Sequence, residues 1–264
     1  MKDEVWKMKF KIVKRKIKDI PVLEIVDKTK VDHKLPLVIY YHGWQTSKEL
    51  VLTQGRKLAS QGFRVCLPDA PNHGERHQNV SSVISLTFWN SVQGNLAEYE
   101  YLRDHYVSQG ITSNLFVGGV SMGGITTCAL LTHHTEITAA ASIMGEPSPL
   151  HFRMRTIERA TERQIKLPSD YGDLLSWQDR YDLAENPETL AGRPLYIWHG
   201  TEDYKIPIES VQTFVKKNQN QAHGARIQFE IGTNEGHLVQ IPIMDKVAQF
   251  FAENKTLDSS KLDI

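Results

Sequence analysis

The feature of this sequence that most constrains its fold is a series of short, almost uninterrupted apolar runs, each ending in glycine or polar residues. The runs are "LPLVIYYHG" (35–43), "GFRVCLPD" (62–69), "NLFVGG" (114–119), "ITAAASIMG" (137–145) and "RPLYIWHG" (193–200). Runs of this length and composition are typical of parallel strands whose sheet is covered on both faces. They therefore predict a buried, mostly parallel sheet at the centre of the protein.

Helical patterns separate these runs. They occupy residues 48–61, 86–107, 122–133, 207–217 and 241–252. In the second pattern the apolar residues recur at steps of three and four, which is the spacing of one helix face. Prolines near the first turn of the last two patterns, Pro207 and Pro242, are typical of helix starts. Strands that alternate with helices in this way predict a doubly wound α/β sheet.

The N-terminal segment "KMKFKIVKRKIK" (7–18) alternates basic with apolar residues. The alternating residues are Lys7, Met8, Lys9, Phe10, Lys11 and Ile12. A period of two indicates a half-buried strand, and lysines on an outer strand prevent edge-to-edge pairing. We therefore expect the first 30 or so residues to add two antiparallel strands at one edge. A patch that contacts a polyanion or a membrane is the alternative.

Residues 146–190 interrupt the alternation of strands and helices with a strongly charged stretch. We interpret this stretch as a small helical cap inserted over the strand ends, where α/β proteins bind ligands. Residues 1–264 are accordingly expected to form a single domain. Two roles stay open for its arginines, a solvated helix face or attraction of an acidic substrate. The residues concerned are Arg153, Arg155, Arg159 and Arg163. For Trp177 a place in the pocket wall and a place in the core stay equally open.

The charge balance excludes several classes of partner. The chain has 31 basic and 31 acidic residues, which favours neither a nucleic-acid nor a membrane partner. No apolar run approaches the about 18 residues of a membrane span, and the N-terminus lacks the apolar core of a secretory signal. Cys66 and Cys128 lie in apolar segments and are predicted to be buried thiols of a reducing compartment. A cytoplasmic location is therefore expected.

Four glycines lie between a predicted strand and a predicted helix in "LFVGGVSMGGITTCALL" (115–131). A dinucleotide site requires G-x-G-x-x-G, but the second glycine position is filled by another residue in either register. A phosphate-binding P-loop requires G-x-x-x-x-G-K-[ST]. Gly118 and Gly123 have that spacing, yet Gly124 stands where the lysine is required. Both nucleotide-binding interpretations are therefore disfavoured.

The pattern that does match is G-x-S-x-G, in residues 119–123. In a nucleophile elbow of this form, Ser121 stands exposed at the top of the sheet. Gly119 and Gly123 permit the close approach that a strand reversing into a helix requires. The amide of Met122 then points at the oxygen of an attacked carbonyl. A glycine-rich bend with only a packing role is the alternative.

A serine nucleophile requires a histidine base and a carboxylate, in the chain order serine, acid, histidine. The loop "HGTEDYKIP" after one late strand offers Glu202 and Asp203, and "GTNEGH" after the next offers His237. We predict Asp203 and His237, because both lie in the expected loops and order. Asp182, which precedes the last long apolar run, is the reserve candidate for the acid.

The other histidines have ordinary structural interpretations. His42 and His199 each precede a glycine at a strand end and are predicted to make structural hydrogen bonds. His73 and His77 are four residues apart, like metal ligands on a helix, but the neighbouring proline, asparagine and glycine indicate a loop. No metal site is therefore predicted.

The second donor to the oxyanion is expected in the loop after the third strand, "YYHGWQTSKE" (40–49). We predict that Gly43 lets the backbone turn and that the amide of Trp44 donates. The indole of Trp44 is at the same time a candidate for an aromatic wall of the pocket.

The motifs "HGW", "PDAPNHGER", "GVSMGG", "HGTEDYKIP" and "GH" occur in this order. With them the chain resembles the α/β-hydrolase superfamily over nearly its whole length. It is most similar to small bacterial esterases related to dienelactone hydrolase and to the catalytic domains of prolyl-oligopeptidase-type enzymes. Asn72 stands where that family usually has glycine, and asparagine tolerates the same left-handed backbone. The resemblance implies serine hydrolase chemistry without a cofactor, and it leaves the substrate open.

These observations predict a carboxylesterase that cleaves small carboxylic esters through an acyl-enzyme. A peptidase or a thioesterase on the same triad is the alternative, as is a hydrolase-fold binding protein that has lost catalysis. A chain of 264 residues leaves no room for the propeller of prolyl-oligopeptidase-type peptidases, which favours esters. The expected partner is a small-molecule ester. The oligomeric state stays open, with a homodimer among the alternatives.

Overall fold

The computed structural model describes residues 9–78 and 80–256. Its eight strands form one sheet in the spatial order β1-β2-β4-β3-β5-β6-β7-β8. The strands are β1 (Phe10–Ile17), β2 (Ile20–Asp27), β3 (Leu35–Tyr41), β4 (Arg64–Pro68), β5 (Thr112–Val120), β6 (Ile137–Ile143), β7 (Leu195–Gly200) and β8 (Ile227–Gly232). β2 pairs antiparallel with β1 and β4, and every other pairing is parallel. This confirms the mostly parallel sheet with an antiparallel N-terminal edge.

The basic strand β1 is the outer strand at that edge and pairs only with β2 within the described chain. Its two end residues, Phe10 and Ile17, are buried, whereas most residues between them are exposed or half-buried. Lys7 and Met8 of the predicted alternation lie outside the described residues.

Helices cover both faces of the sheet. They are α1 (Leu52–Ser60), α2 (Ile84–Val107), α3 (Met122–Leu131), α4 (Pro149–Glu162), α5 (Tyr171–Leu174), α6 (Ile208–Asn218) and α7 (Ile241–Glu253). α1 and α7 pack on one face, where Leu58 and Val247 join a core with the strands. α2, α3 and α6 pack on the other face, for example through Tyr99, Cys128 and Phe214. The predicted doubly wound architecture is therefore confirmed.

The helices and strands depart from their predicted bounds by a few residues. The segment predicted as one helix over 48–61 begins as a 3-10 turn, Lys48–Val51, before α1. Cys66 and Cys128 are both buried and free, and burial raises the pKa of each thiol to about 12. Both cysteines therefore stay protonated and act as small core residues. Within the described residues, no helix has both the length and the apolarity needed to cross a bilayer.

The cap segment, residues 146–190, lies between β6 and β7 and contains α4, α5 and two 3-10 turns. α4 begins at Pro149, and the hydroxyl of Ser148 accepts a hydrogen bond from the amide of His151. This is the usual capping of a helix start. Trp177 packs with its ring centroid 6.1 Å from that of Trp89, so its indole belongs to the core under the cap.

Candidate active site

Ser121 lies between β5 and α3 with a backbone φ of 55° and ψ of −116°, a conformation that non-glycine residues rarely adopt. The turn is so tight that a Cβ at Gly119 would lie 2.5 Å from the carbonyl group of Gly123. A Cβ at Gly123 would lie 2.3 Å from the carbonyl oxygen of Tyr41 on β3. Only glycine fits at either position without a backbone shift.

The structure brings Ser121, His237 and Asp203 into one hydrogen-bonded chain. The Nε2 atom of His237 lies 2.8 Å from the Oγ of Ser121. The Nδ1 atom of the same ring lies 2.6 Å from Oδ2 of Asp203. The Asp203 carboxylate is an acceptor, so Nδ1 carries the ring proton and Nε2 is free to accept from the hydroxyl. Any two of these side chains are more than 30 residues apart in the sequence. Together they have the geometry of a nucleophile, a base and an orienting acid.

Asp203 is held as an anion by several donors. Its Oδ1 accepts from the amides of Lys205 at 2.9 Å and Ile206 at 3.0 Å, and the Nε2 of His199 lies 3.4 Å from Oδ2. Burial acts to raise the pKa of the Asp203 carboxyl, but the hydrogen bonds from His199 and His237 outweigh it. The pKa of the Asp203 carboxyl is held well below its usual range, so Asp203 is charged at neutral pH.

The other two candidate acids lie elsewhere. Glu202 is exposed and does not hydrogen-bond to His237. Asp182 is buried beneath the cap, where its carboxylate accepts from the hydroxyl of Ser148 at 2.6 Å and from the amide of Leu150 at 3.1 Å. Asp182 therefore holds the start of α4 in place.

The loop after β3 lies directly against the elbow. A Cβ at Gly43 would lie 3.5 Å from the Cβ of Ser121, an ordinary contact, and Gly43 has no positive φ. The left-handed residue of this loop is Gln45, with φ 57°. The prediction that Gly43 makes the turn was therefore wrong by two residues. Within the described chain, the amide of Trp44 donates no hydrogen bond, so it is free to face an oxyanion.

His42 ties this loop to the loop after β4. Its Nε2 accepts from the amide of Ala70 at 3.0 Å, so Nδ1 carries the proton and donates to the carbonyl of Gly43 at 2.8 Å. Burial lowers the pKa of His42 to about 4, which keeps the ring neutral. His42 thus makes the structural hydrogen bonds predicted for it. His73 has a similar role, since its Nδ1 lies 2.8 Å from the carbonyl oxygen of Pro71.

A buried ion pair, which the sequence did not reveal, joins the same two loops. Lys48 is 1% exposed, and its Nζ donates to Asp69 at 2.6 Å and to Glu75 at 2.7 Å. Asp69 also accepts from the amides of Lys48 and Glu75, both at 3.0 Å. In the same loop Asn72 has φ 65°, a left-handed backbone that asparagine tolerates. One carboxylate therefore fixes both loops beside Trp44.

A cavity of about 630 Å³ opens at Ser121 and His237. This volume falls within the usual range for small-molecule sites, about 300–1,000 Å³. Its apolar lining includes Val51, Val120 and Met244. Aromatic and basic side chains line it as well: Phe152, Arg159 and Arg163 of the cap, Tyr204 and Lys205 of the loop after β7, Trp44 of the loop after β3, and Phe88 of α2. The cavity can hold an organic molecule of moderate size against the nucleophile.

Comparisons with known proteins place this geometry in a family. YitV of Bacillus subtilis, which carries a provisional esterase name, is 32% identical over 243 residues, covering 89% of this chain and 95% of the relative. The esterase YjfP of Escherichia coli is 28% identical over 200 residues, covering 75% of this chain and 80% of the relative. These similarities support a hydrolase of the esterase type.

Solved structures share the fold. TT1662 from Thermus thermophilus superposes with a TM-score of 0.74 at 20% identity, covering 94% of this chain and 99% of that one. The Pyrococcus furiosus esterase Pf2001 superposes with a TM-score of 0.64 at 17% identity, covering 96% and 95%. The pattern of the prolyl oligopeptidase family matches residues 56–258. This chain therefore belongs to the prolyl oligopeptidase family of the α/β-hydrolase superfamily.

Proposed function

We propose that this protein is a serine carboxylesterase that cleaves small carboxylic esters through an acyl-enzyme intermediate. The observation that carries the proposal is the hydrogen-bonded chain from Ser121 Oγ to His237 Nε2, at 2.8 Å, and from His237 Nδ1 to Asp203 Oδ2, at 2.6 Å. Such a chain prepares a hydroxyl for attack on a carbonyl carbon. Ser121 and His237 line a cavity, where a substrate can reach them.

In the acylation step, the Oγ of Ser121 bonds to the ester carbonyl carbon while its proton moves to Nε2 of His237. The tetrahedral intermediate collapses by breaking the bond to the alcohol oxygen, which takes the proton from Nε2. Water then attacks the acyl-enzyme with His237 again as base, and the acid leaves as Ser121 regains its proton. Asp203 stays ionised throughout and stabilises the imidazolium that forms twice in each cycle.

The oxyanion is assigned to two backbone amides. Met122 is the first residue of α3, and the amides of a first helical turn have no partner within the helix. Trp44 supplies the second donor from the loop fixed by the Lys48–Asp69 pair. Removing one oxyanion donor typically slows turnover by about 100- to 1,000-fold. The geometry of that loop is therefore expected to matter to the rate as much as the triad does.

The test is covalent labelling with a fluorophosphonate together with turnover of p-nitrophenyl acetate. The wild-type protein is expected to label once and to release p-nitrophenol with a burst. Ser121→Ala is expected to abolish both signals, whereas Ser108→Ala, which removes an exposed serine at the end of α2, is expected to change neither. Full activity in Ser121→Ala, or neither labelling nor hydrolysis by the wild type, contradicts the proposal.

A second pair of variants tests the assignment of the acid. Asp203→Asn is expected to lower kcat strongly, because the amide cannot stabilise the imidazolium. Glu202→Gln removes the adjacent carboxylate, which is exposed and outside the triad, and is expected to leave kcat unchanged. Equal losses in the two variants contradict the assignment of Asp203.

A further inference from the structure

The charged groups that line the cavity are all of one sign. Three of the lining side chains are cationic, Arg159, Arg163 and Lys205, and none of the lining residues is aspartate or glutamate. The whole chain, in contrast, has 31 basic and 31 acidic residues. The positive charge of the cavity is therefore local, and it comes from the cap and from the loop after β7.

Two of the three cavity cations, Arg159 and Arg163, belong to α4 or directly follow it, and Arg155 lies one turn before Arg159. Phe152, Arg155, Arg159 and the residue that follows the helix, Arg163, are spaced by three or four residues, so they follow one side of the helix. Like charges at this spacing repel each other. Within the described chain none of the three arginines has a carboxylate within ion-pair distance. Glu162 and Asp203 attract the charge of Arg159 electrostatically, and neither lines the cavity.

Arg159 reaches the loop of the triad acid. Its guanidinium donates to the carbonyl oxygen of Tyr204 at 2.7 Å and to that of Lys205 at 3.2 Å. These two residues directly follow Asp203. Carbonyl groups orient a guanidinium but do not neutralise its charge, and a guanidinium has five N–H donors in total. A fixed cation with donors to spare therefore stands at the cavity, close to the triad.

Three aromatic rings that contact one another line the same cavity as the cations and Ser121. The ring centroids of Trp44 and Phe88 lie 5.4 Å apart, and those of Phe88 and Phe152 lie 5.6 Å apart. This wall offers an apolar surface to the body of a ligand, while the arginines offer charge to its end. A molecule that fits both has an apolar or aromatic body with an anionic group remote from its ester bond.

We propose that the cavity selects esters that carry such a remote anionic group, a carboxylate above all, and that Arg159, Arg163 and Lys205 are the residues that recognise it. This inference rests on the proposed esterase function. It assigns the arginines at the cavity to substrate recognition and names the substrate class. Charge-assisted hydrogen bonds to carboxylates are among the stronger polar interactions, and guanidinium groups match carboxylate geometry.

Two matched pairs of substrates test the proposal, one for each side of the ester bond. Mono-p-nitrophenyl adipate against p-nitrophenyl hexanoate places the charge on the acyl side. 4-Acetoxybenzoate against its methyl ester places the charge on the alcohol side. Each kcat/KM is divided by the rate of hydroxide-catalysed hydrolysis, which removes intrinsic differences in reactivity. In at least one pair the wild type is expected to prefer the anionic ester about tenfold at low salt. The preference is expected to shrink toward 1 M salt, where the screening length is about 3 Å.

The variants separate recognition from a structural role. Arg163→Gln and Lys205→Gln remove exposed cations whose side chains make no hydrogen bond or ion pair in the described chain. Together they are expected to cut the preference about five- to tenfold through KM of the anionic ester, with a much smaller change in kcat/KM on the neutral ester. Lys166→Gln removes an equally exposed cation that does not line the cavity, and it is expected to leave the preference within about twofold.

The outcomes are distinct. If the wild type hydrolyses neutral esters but shows no anionic preference in either pair, the selectivity is refuted and the esterase function stands. The proposal also fails if the double variant loses activity equally on charged and neutral esters, since that result indicates a purely structural role. If no ester is cleaved and Ser121 does not label, the proposed function falls and this inference falls with it. Arg159→Gln is a poor first variant, because losing its bonds to the acid loop lowers kcat on every substrate.

Discussion

The nucleophile is expected to be a source of strain that the fold tolerates. Ser121 has φ 55° and ψ −116°, and its backbone is held there from both sides. Its amide donates to the carbonyl of Ile143 at 2.8 Å, and its carbonyl accepts from the amide of Ile125 at 3.0 Å. A non-glycine residue in a sparsely populated region of this kind costs about 1–3 kcal/mol. Ser121→Gly removes that strain, whereas Ser121→Ala keeps it.

The comparison of these two variants isolates the strain, because both lose the hydroxyl and both are inactive. Glycine also lowers the free energy of unfolding by about 0.5–1 kcal/mol, because it makes the unfolded chain more flexible. This loss offsets part of the stability gained by relieving the strain. Ser121→Gly is therefore expected to exceed Ser121→Ala in free energy of unfolding by about 0.5–2 kcal/mol. For a protein of this size that difference corresponds to a Tm shift of about 1–4 °C. Urea unfolding at 25 °C and thermal unfolding, followed by tryptophan fluorescence, measure it.

Ser108 provides a control of opposite sign. It lies at the end of α2 with φ −63° and ψ −24°, an ordinary right-handed conformation. There the glycine variant is expected to be less stable than the alanine variant by about 0.5–1 kcal/mol. If glycine is the less stable choice at Ser121 as well, the elbow stores no strain and the argument is refuted.

Other predictions concern the groups around the nucleophile. Asp203→Asn is expected to lower kcat by about 10³–10⁴-fold with little change in KM, by analogy with other serine triads, in steady-state assays. Because the folded pKa of Asp203 is depressed, its contribution to stability is complete above pH ~4, the ordinary pKa of aspartate. Below that pH the contribution declines, and it is lost completely once the pH has fallen through the lower folded pKa of Asp203. Urea unfolding at a series of pH values from 7 to 2 measures this decline. Lys48→Met leaves the buried Asp69 unpaired and is expected to cost about 3–5 kcal/mol in urea unfolding. Gly123→Ala drives a Cβ into backbone and is expected to lower Tm and abolish labelling.

The sequence was sufficient to predict the fold because the strands are short apolar runs with sharp ends. β3, β5 and β6 are buried on both faces, which requires nearly every residue in them to be apolar or small. Their positions were therefore predicted to within a few residues. The placement of Asp203 and His237 close to Ser121 was predictable for a related reason. Parallel strands end at one edge of the sheet, so the loops after β7 and β8 must lie near the loop after β5.

What the sequence could not predict depends on contacts between distant loops. Lysine is almost never fully buried unless it is paired, so nothing in "QTSKEL" marks Lys48 as a core residue. Its partner Asp69 lies 21 residues further along the chain. The sequence analysis placed the turn of this loop at Gly43, because glycine has the freer backbone, whereas the left-handed residue is Gln45. The charge of the cavity was equally hidden, because it depends on which side of α4 faces the triad.

The hydrogen bonds around the site indicate how residues that lie in loops are held in place. Ser121, Asp203, His237 and Trp44, the residues of the proposed site, all lie in turns and loops, which are the least restrained parts of a fold. Here each loop is held by buried polar groups. Asp69 holds the oxyanion loop through Lys48, and His199 donates to the carbonyl of Ile206 at 2.6 Å in the loop of Asp203. Arg159 of the cap holds the same loop from outside. The cap therefore contacts the loop of Asp203 directly, so under the proposed function an anion bound by Arg159 is expected to influence the position of that loop.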